Sequence, residues 1–202
     1  MSKADRQKWD ERYASGAYGQ RPYPSSFLSE RIQGPQSGRA LDVACGAGRN
    51  AIYLASCGYS VDAIDISPIG LARAQHSAED AGVAVNWICA DLLGEDGPGA
   101  ASVDDLLPVP HSDYDLIVIF RFVAPRLLER LPEYLAQGGH FIVEEHLHTT
   151  AEVVGPSSQR FRMAPGALSQ MLVPLQIVHN FEGEVVEPDG KVAALAQVVA
   201  RA

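Results

Sequence analysis

The segment Asp42-Val43-Ala44-Cys45-Gly46-Ala47-Gly48-Arg49-Asn50-Ala51 constrains this chain more than any other. Residues 40–44 read as a short strand and 49–57 as a helix, so Gly46 and Gly48 fall in the turn between them. Glycine there tolerates left-handed backbone and lets a ligand approach the main chain. The first N–H groups of the following helix stay unpaired and point toward that ligand. With Ala51 in third place the turn matches G-x-G-x-x-G/A, a nucleotide-binding pattern of parallel α/β units. By itself the pattern is shared with nicotinamide enzymes, and it also fits a tight turn that binds nothing.

The rest of the chain repeats the alternation of strand and helix. Gly58 stops the first helix, and 60–64 reads as a second strand. Ser67 caps the next helix, Pro68 occupies its first turn and Gly82 ends it, with Leu71, Ala74, Ala78 and Ala81 on one face. Residues 85–89 make a third strand. The unbroken apolar run 114–120 suits a fourth strand buried on both faces. A helical stripe through Leu127, Leu128, Leu131, Tyr134 and Leu135 is expected to break at Pro132 and to close at Gly138-Gly139. The fifth strand is 140–145, and a short helix follows over about 165–172. Two final strands, roughly 175–185 and 192–199, flank Glu187-Pro188-Asp189-Gly190 and read as an antiparallel hairpin. Residues 94–102 read as a loop. The pattern predicts an α/β, Rossmann-like three-layer sandwich with a seven-stranded, mostly parallel sheet ending in that hairpin. Residues 1–202 are expected to form one domain, with 1–37 as an N-terminal lid and 38–202 as the core.

Three acids sharpen the reading. Asp42 lies in the first strand ahead of the glycines, Asp65 ends the second and Asp91 follows the third. In a parallel sheet all three fall at the carboxyl edge, where open α/β folds bind their ligands. A nicotinamide site accounts for Asp65, through the ribose hydroxyls, but gives Asp42 and Asp91 no task.

Residues 41–50, Asp65-Ile66-Ser67, Ala90-Asp91-Leu92 and the buried fourth strand together resemble the class I S-adenosylmethionine-dependent methyltransferases. Within them the chain is most similar to the small tellurite-resistance and thiopurine-type enzymes, which share the Gly-Arg-Asn ending and an N-terminal stretch like Trp9-Asp10-Glu11-Arg12-Tyr13. The resemblance implies S-adenosyl-L-methionine as cofactor and a cofactor site made by Trp9, Tyr13, Asp42, Ala44, Gly46, Ala47, Gly48, Asn50, Asp65, Ile66, Asp91, Leu92, Phe120 and Arg121. Asp42 would face the ammonium of the methionine part, Asp65 the ribose hydroxyls and Asp91 the adenine amino group, with the Leu92 N–H on a ring nitrogen. Gly46 and Gly48 would run beneath the methionine part. Phe120 and Arg121 would line the methyl-donor pocket, and Trp9 and Tyr13 would form a lid. Ala44 departs from the family, which usually has glycine there, and implies a slightly tighter pocket.

A sulfonium methyl is electrophilic unaided, so alignment and exclusion of water are the main demands on the protein. A sulfur or selenium nucleophile needs little base assistance, whereas oxygen or nitrogen more often needs a general base. Glu144, His146 and His148 fall on one strand face at period two, as a base pair, a metal site or a plain polar strand end. No metal is expected, because no further ligands lie near in sequence. Arg121, His146 and Arg160 are the substrate candidates, with Arg121 either holding an anionic substrate or pairing with a carboxylate.

Net charge is −9, and Lys3, Lys8 and Lys191 are the only lysines; the scattered arginines form no basic patch, which disfavours nucleic acid. Three cysteines without CxxC spacing fit a reducing compartment. The polar N-terminus and the absence of a long apolar run lead us to expect a cytoplasmic protein without a membrane partner. The expected partner is a small molecule, and an exposed hairpin edge would suit a homodimer. Two further readings stay open at this point: a non-catalytic S-adenosylmethionine binder with a regulatory role, and a nicotinamide-dependent dehydrogenase.

Overall fold

The computed structural model describes residues 3–16, 23–93 and 107–202. The loop expected over 94–102 lies outside these. Seven strands form one sheet in the order β3-β2-β1-β4-β5-β7-β6. The strands are β1 (Arg39–Val43), β2 (Ser60–Asp65), β3 (Asn86–Cys89), β4 (Tyr114–Phe120), β5 (Leu135–His146), β6 (Gln176–Val186) and β7 (Val192–Arg201). Strands β1 to β5 run parallel, and β7 pairs antiparallel with both β5 and β6. The helices are α1 (Lys3–Ala14), α2 (Ser26–Arg31), α3 (Arg49–Cys57), α4 (Pro68–Asp80), α5 (Pro125–Arg130) and α6 (Ala167–Met171).

Side-chain alternation divides the core into two layers. Leu41, Val43, Ile117, Ile119, Phe141 and Val143 face α5 and α6. Ala40, Ala63, Leu116, Val118, Phe120 and Ile142 face α2 and α3 with Phe27, Ala51 and Leu54. Asp62 is one polar group paired inside the sheet: the Tyr114 hydroxyl donates to its Oδ2 at 2.7 Å, and Asn86 Nδ2 donates to its Oδ1 at 2.6 Å.

Two departures from the sequence reading have local causes. Residue 44 is no longer strand: Ala44 takes φ 55°, a conformation that costs a residue with Cβ about 1 kcal/mol. The second concerns Leu135 and Gly138-Gly139, expected to end a helix. The helix does stop at Pro132, passing through a 3-10 turn, Leu131–Tyr134, but β5 then starts at once with Leu135 opposite Tyr114. Gly138 and Gly139 sit inside the strand instead. Gly138 N donates to Ala202 O at 3.1 Å and Ala202 N to Gly139 O at 3.0 Å, so the glycines bend β5 against the end of β7.

Candidate functional site

Strands β1 and β4 are neighbours, yet β1 leads into α3 on one face of the sheet and β4 into α5 on the other. Such a reversal leaves a crevice at the carboxyl ends of the two strands, the place where open α/β sheets take ligands. Residues 44–48 follow β1 there, and Arg121 follows β4.

Asp42 points into the α3 layer and is 2% exposed. Its Oδ2 has no hydrogen-bond partner among the described residues. Burial pushes its carboxyl up to about 7; the Ala51 N–H and the Arg49 charge oppose this, and Asp65 adds to it. Asp65 ends β2 on the same face. Its Oδ2 accepts from Gly46 N at 2.8 Å and its Oδ1 from Ser67 N at 2.9 Å, so it ties the glycine turn to the start of α4. Burial raises the Asp65 carboxyl despite these two donors. Asp91 lies two residues beyond β3 and accepts from Leu93 N at 2.9 Å. Ile66, Leu92 and Phe120 are buried, whereas Ala44 and Ala47 are half-buried in the turn. Asn50 supports the turn from behind, its Oδ1 accepting from Ser25 N at 2.9 Å.

Helix α1 crosses this edge. Arg6 reaches Cys89 Sγ at 3.6 Å at the end of β3, and Arg73 Nη1 donates to the Tyr13 carbonyl at 2.9 Å. Ser67 Oγ donates to Asp10 Oδ1 at 2.5 Å while accepting from Gly70 N at 3.0 Å. Tyr13 is buried against the glycine turn: a Cβ on Gly46 would collide with its hydroxyl, and one on Gly70 would stand 2.9 Å from its ring. Trp9 stacks on Tyr13 with centroids 6.1 Å apart. Because Ser67 serves both as the α4 cap and as the α1 tether, Ser67→Ala should lower stability by about 1–2 kcal/mol. It should also speed proteolysis within α1 in limited digests; unchanged digestion would show that the rings with the Arg6 and Arg73 contacts hold α1 without Ser67.

On the β4–β5 side, Glu144 pairs with Phe120 in register, and His146 follows on the same face. Arg121 lies across them with φ 61°. Its Nε donates to Glu144 Oε1 at 2.9 Å, its Nη2 to Glu187 Oε1 at 2.5 Å, and its Nη1 stands 3.5 Å from His146 Nε2. Gln197 Nε2 braces Glu144 Oε2 at 2.8 Å. Burial works against the Arg121 charge, but Glu144 and Glu187 outweigh it and raise its affinity for the proton. Arg49 joins this group: burial and then Arg121 lower its proton affinity, while Glu144, Glu187 and Asp42 raise it. On the other face Glu145 is fully buried and accepts from Phe122 N at 3.1 Å; burial lifts its carboxyl well above the usual range, against the Phe122 N–H and the Arg121 charge.

The structure therefore brings Trp9, Tyr13, Asp42, Asp65, Phe120, Arg121 and His146 to one edge. Arg160 is exposed and stacks on Phe161 at 4.4 Å, with Lys8 of α1 over the same ring at 6.0 Å. His148 leaves the strand and binds the Gln159 carbonyl at 3.0 Å. Among the described residues no group of three or more His, Cys, Asp or Glu is placed to hold a metal. Arg49 and Glu187 carried no role in the sequence reading. Arg49 stood inside the glycine motif, but Glu187 is 66 residues from Arg121 with no periodic signal linking them.

Residues 40–139 match a family described as "Methyltransferase domain". The matched stretch, just under half of the chain, runs from β1 through α5 to the glycines of β5. Over 95% of its length the chain superposes on TehB from Haemophilus influenzae with a TM-score of 0.67 at 21% identity, covering 66% of that chain. The [4+2]-cyclase SpnF gives a TM-score of 0.64 at 17% identity, over 86% of this chain and 77% of that one. Magnesium protoporphyrin IX methyltransferase from Synechocystis PCC 6803, with bound S-adenosylhomocysteine, gives 0.60 at 15% identity, over 98% and 83%. In sequence the chain is similar to Hemagglutinin 1 of Eikenella corrodens, 26% identical over 131 residues, which is 61% of this chain and 39% of that protein. The chain thus spans well under half of that relative. Among its described residues no helix is long and apolar enough to cross a membrane.

Proposed function

We propose that the protein binds S-adenosylmethionine at the carboxyl edge of β1–β4 and transfers its methyl group to a small-molecule acceptor. The observation that carries this reading is the buried Asp42 carboxylate, whose Oδ2 lacks a partner beside the glycine turn. A buried acid left incomplete is costly, and a ligand ammonium would complete it. When bound, the cofactor supplies a methyl group on a sulfonium that is already electrophilic. The chain's task is then to hold it, orient the acceptor and keep water out.

Asp42 takes the ammonium, and Arg49, half-buried beside it, is suited to the carboxylate of the same amino-acid part. Asp65 already accepts one backbone N–H on each oxygen, and each oxygen keeps a second lone pair for a ribose hydroxyl. Asp91 and the Leu92 N–H serve the adenine, Gly46, Ala47 and Gly48 pass beneath the methionine part, and Phe120 walls the donor pocket. Trp9 and Tyr13, on residues 1–37, close over the site as a lid. His146 remains the substrate-facing base candidate. The family match sets the nicotinamide reading aside. Cys45, Cys57 and Cys89 are free thiols, which supports a reducing compartment such as the cytoplasm.

Calorimetric titration with S-adenosylmethionine, S-adenosylhomocysteine and NAD tests the proposal. Micromolar binding of both adenosyl compounds, weakened at least tenfold by Asp65→Ala, is the expected result. Binding of NAD alone would overturn it. The likeness to a [4+2]-cyclase favours one second reading, in which the adenosyl pocket is kept without methyl transfer. Turnover of labelled cofactor with thiol, selenite and amine acceptors separates the two.

A further inference from the structure

The two carboxylates on Arg121 differ in kind. Glu144 belongs to the middle strands of the sheet, is 2% exposed, meets Arg121 at Nε and Nη2, and is braced by Gln197. Glu187 comes from the turn between β6 and β7, touches Arg121 through one oxygen, and its side chain is 12% exposed. Glu144 alone neutralises Arg121. Glu187 is a second anion on the same guanidinium, carried by the hairpin turn and not by a central strand.

The Arg121 backbone is pinned by Arg121 N to Glu144 O at 2.8 Å, and the next residue by Phe122 N to Glu145 Oε1 at 3.1 Å. The left-handed φ at Arg121 is kept despite its cost. Arg49 contributes a second buried positive charge to the same group. Asp42 is the third anion acting on Arg49, so withdrawal of Glu187 leaves the group balanced and frees an Arg121 Nη2 donor for another anion. A guanidinium fork is matched by the planar oxygens of a carboxylate or a similar oxyanion.

We propose that Glu187 is a resident stand-in for the methyl acceptor: the acceptor is a small organic or inorganic anion whose acid group replaces the Glu187 carboxylate on Arg121. This rests on the methyltransferase reading, and it names the acceptor class that reading leaves open. Glu187 is a positioning residue that keeps Arg121 paired in the empty site, and it sets a competition that neutral compounds do not win.

The test uses the full-length protein saturated with S-adenosylhomocysteine, with benzoate as probe and benzamide as its neutral match, read by ligand-observed NMR titration. Benzoate should bind more tightly than benzamide. Glu187→Gln should strengthen benzoate binding about tenfold and leave benzamide and S-adenosylhomocysteine unchanged. Arg121→Lys, which keeps the charge but loses the fork, should weaken benzoate at least fivefold; a thermal melt verifies that it folds. Equal binding of acid and amide in Glu187→Gln, absence of benzoate binding there, or no change between Glu187→Gln and wild type overturns the proposal. Failure of S-adenosylhomocysteine to bind would instead defeat the methyltransferase reading, and the separate titration shows which has failed.

Discussion

Asp42→Asn will weaken S-adenosylhomocysteine binding by about two orders of magnitude while making the free protein more stable at pH 8. The two effects have opposite signs because one buried carboxylate causes both. Removing one partner of a buried charge pair costs about 3 kcal/mol, a change of roughly two decades in Kd. Before ligand arrives that carboxylate is a burden: it is 2% exposed, with one oxygen unpartnered, and its proton is lost only near pH 7. A carboxyl whose folded-state value is raised stabilises the protein at low pH, and that stability is lost as pH climbs through the folded value. Between the ordinary value of 3.8 and about 7, this one group should cost the free protein about 1.4 kcal/mol per pH unit. Arg49, which favours the ionised form, and Asp65, which opposes it, are the charged neighbours that tune the window. Chemical denaturation of wild type and Asp42→Asn across pH 4–8 measures the difference in slope. Binding should release a proton below pH 7, with affinity falling up to tenfold per unit of acidification. Calorimetry in two buffers of different ionisation heat detects that proton. Equal affinity at pH 5.5 and 8 would show that Asp42 does not meet the ligand ammonium.

Gly48→Ala should be strongly destabilising. Gly48 has φ 77°, and a Cβ there would lie 2.6 Å from the Trp87 ring and 2.7 Å from Ala74 Cβ. Both neighbours are held, Trp87 within β3 and Ala74 buried on α4, so neither yields without moving its element. Left-handed strain and overpacking together should cost about 3 kcal/mol, which lowers Tm by roughly 10 °C in a protein of this size. Gly82→Ala separates the two causes. It shares the positive φ, 68°, but meets nothing within 4 Å, so it should cost about 1 kcal/mol. Equal losses at the two sites would show that backbone strain, not the contact with Trp87, makes Gly48 necessary.

Local chemistry made most of the fold legible. A glycine turn between a strand and a helix, the Ser67 cap with Pro68, and the apolar run of β4 each depend on residues close in sequence, and each stands where it was expected. The strand-end acids were legible for the same reason, because a parallel sheet carries every strand end to one edge. Gly138-Gly139 misled: the pair reads as a helix stop, yet β5 runs through it because the far end of β7 supplies hydrogen bonds that no local pattern announces.

By itself, then, the sequence determined the order and kind of the elements, the parallel sheet and the edge that receives a ligand. These follow from period, capping and turn chemistry, which act over a few residues. Only the tertiary structure decided what each charge at that edge is doing. Arg121 was eligible for a substrate or a carboxylate, and its carboxylate partners, Glu144 on the neighbouring strand and Glu187 from the hairpin turn 66 residues away, meet it only in space. For Arg160 the spacing left open whether it faces the site or solvent, and packing leaves it exposed while His146 is buried. Charge pairing is settled by distance in space and by burial, and neither is written in the spacing of residues along the chain.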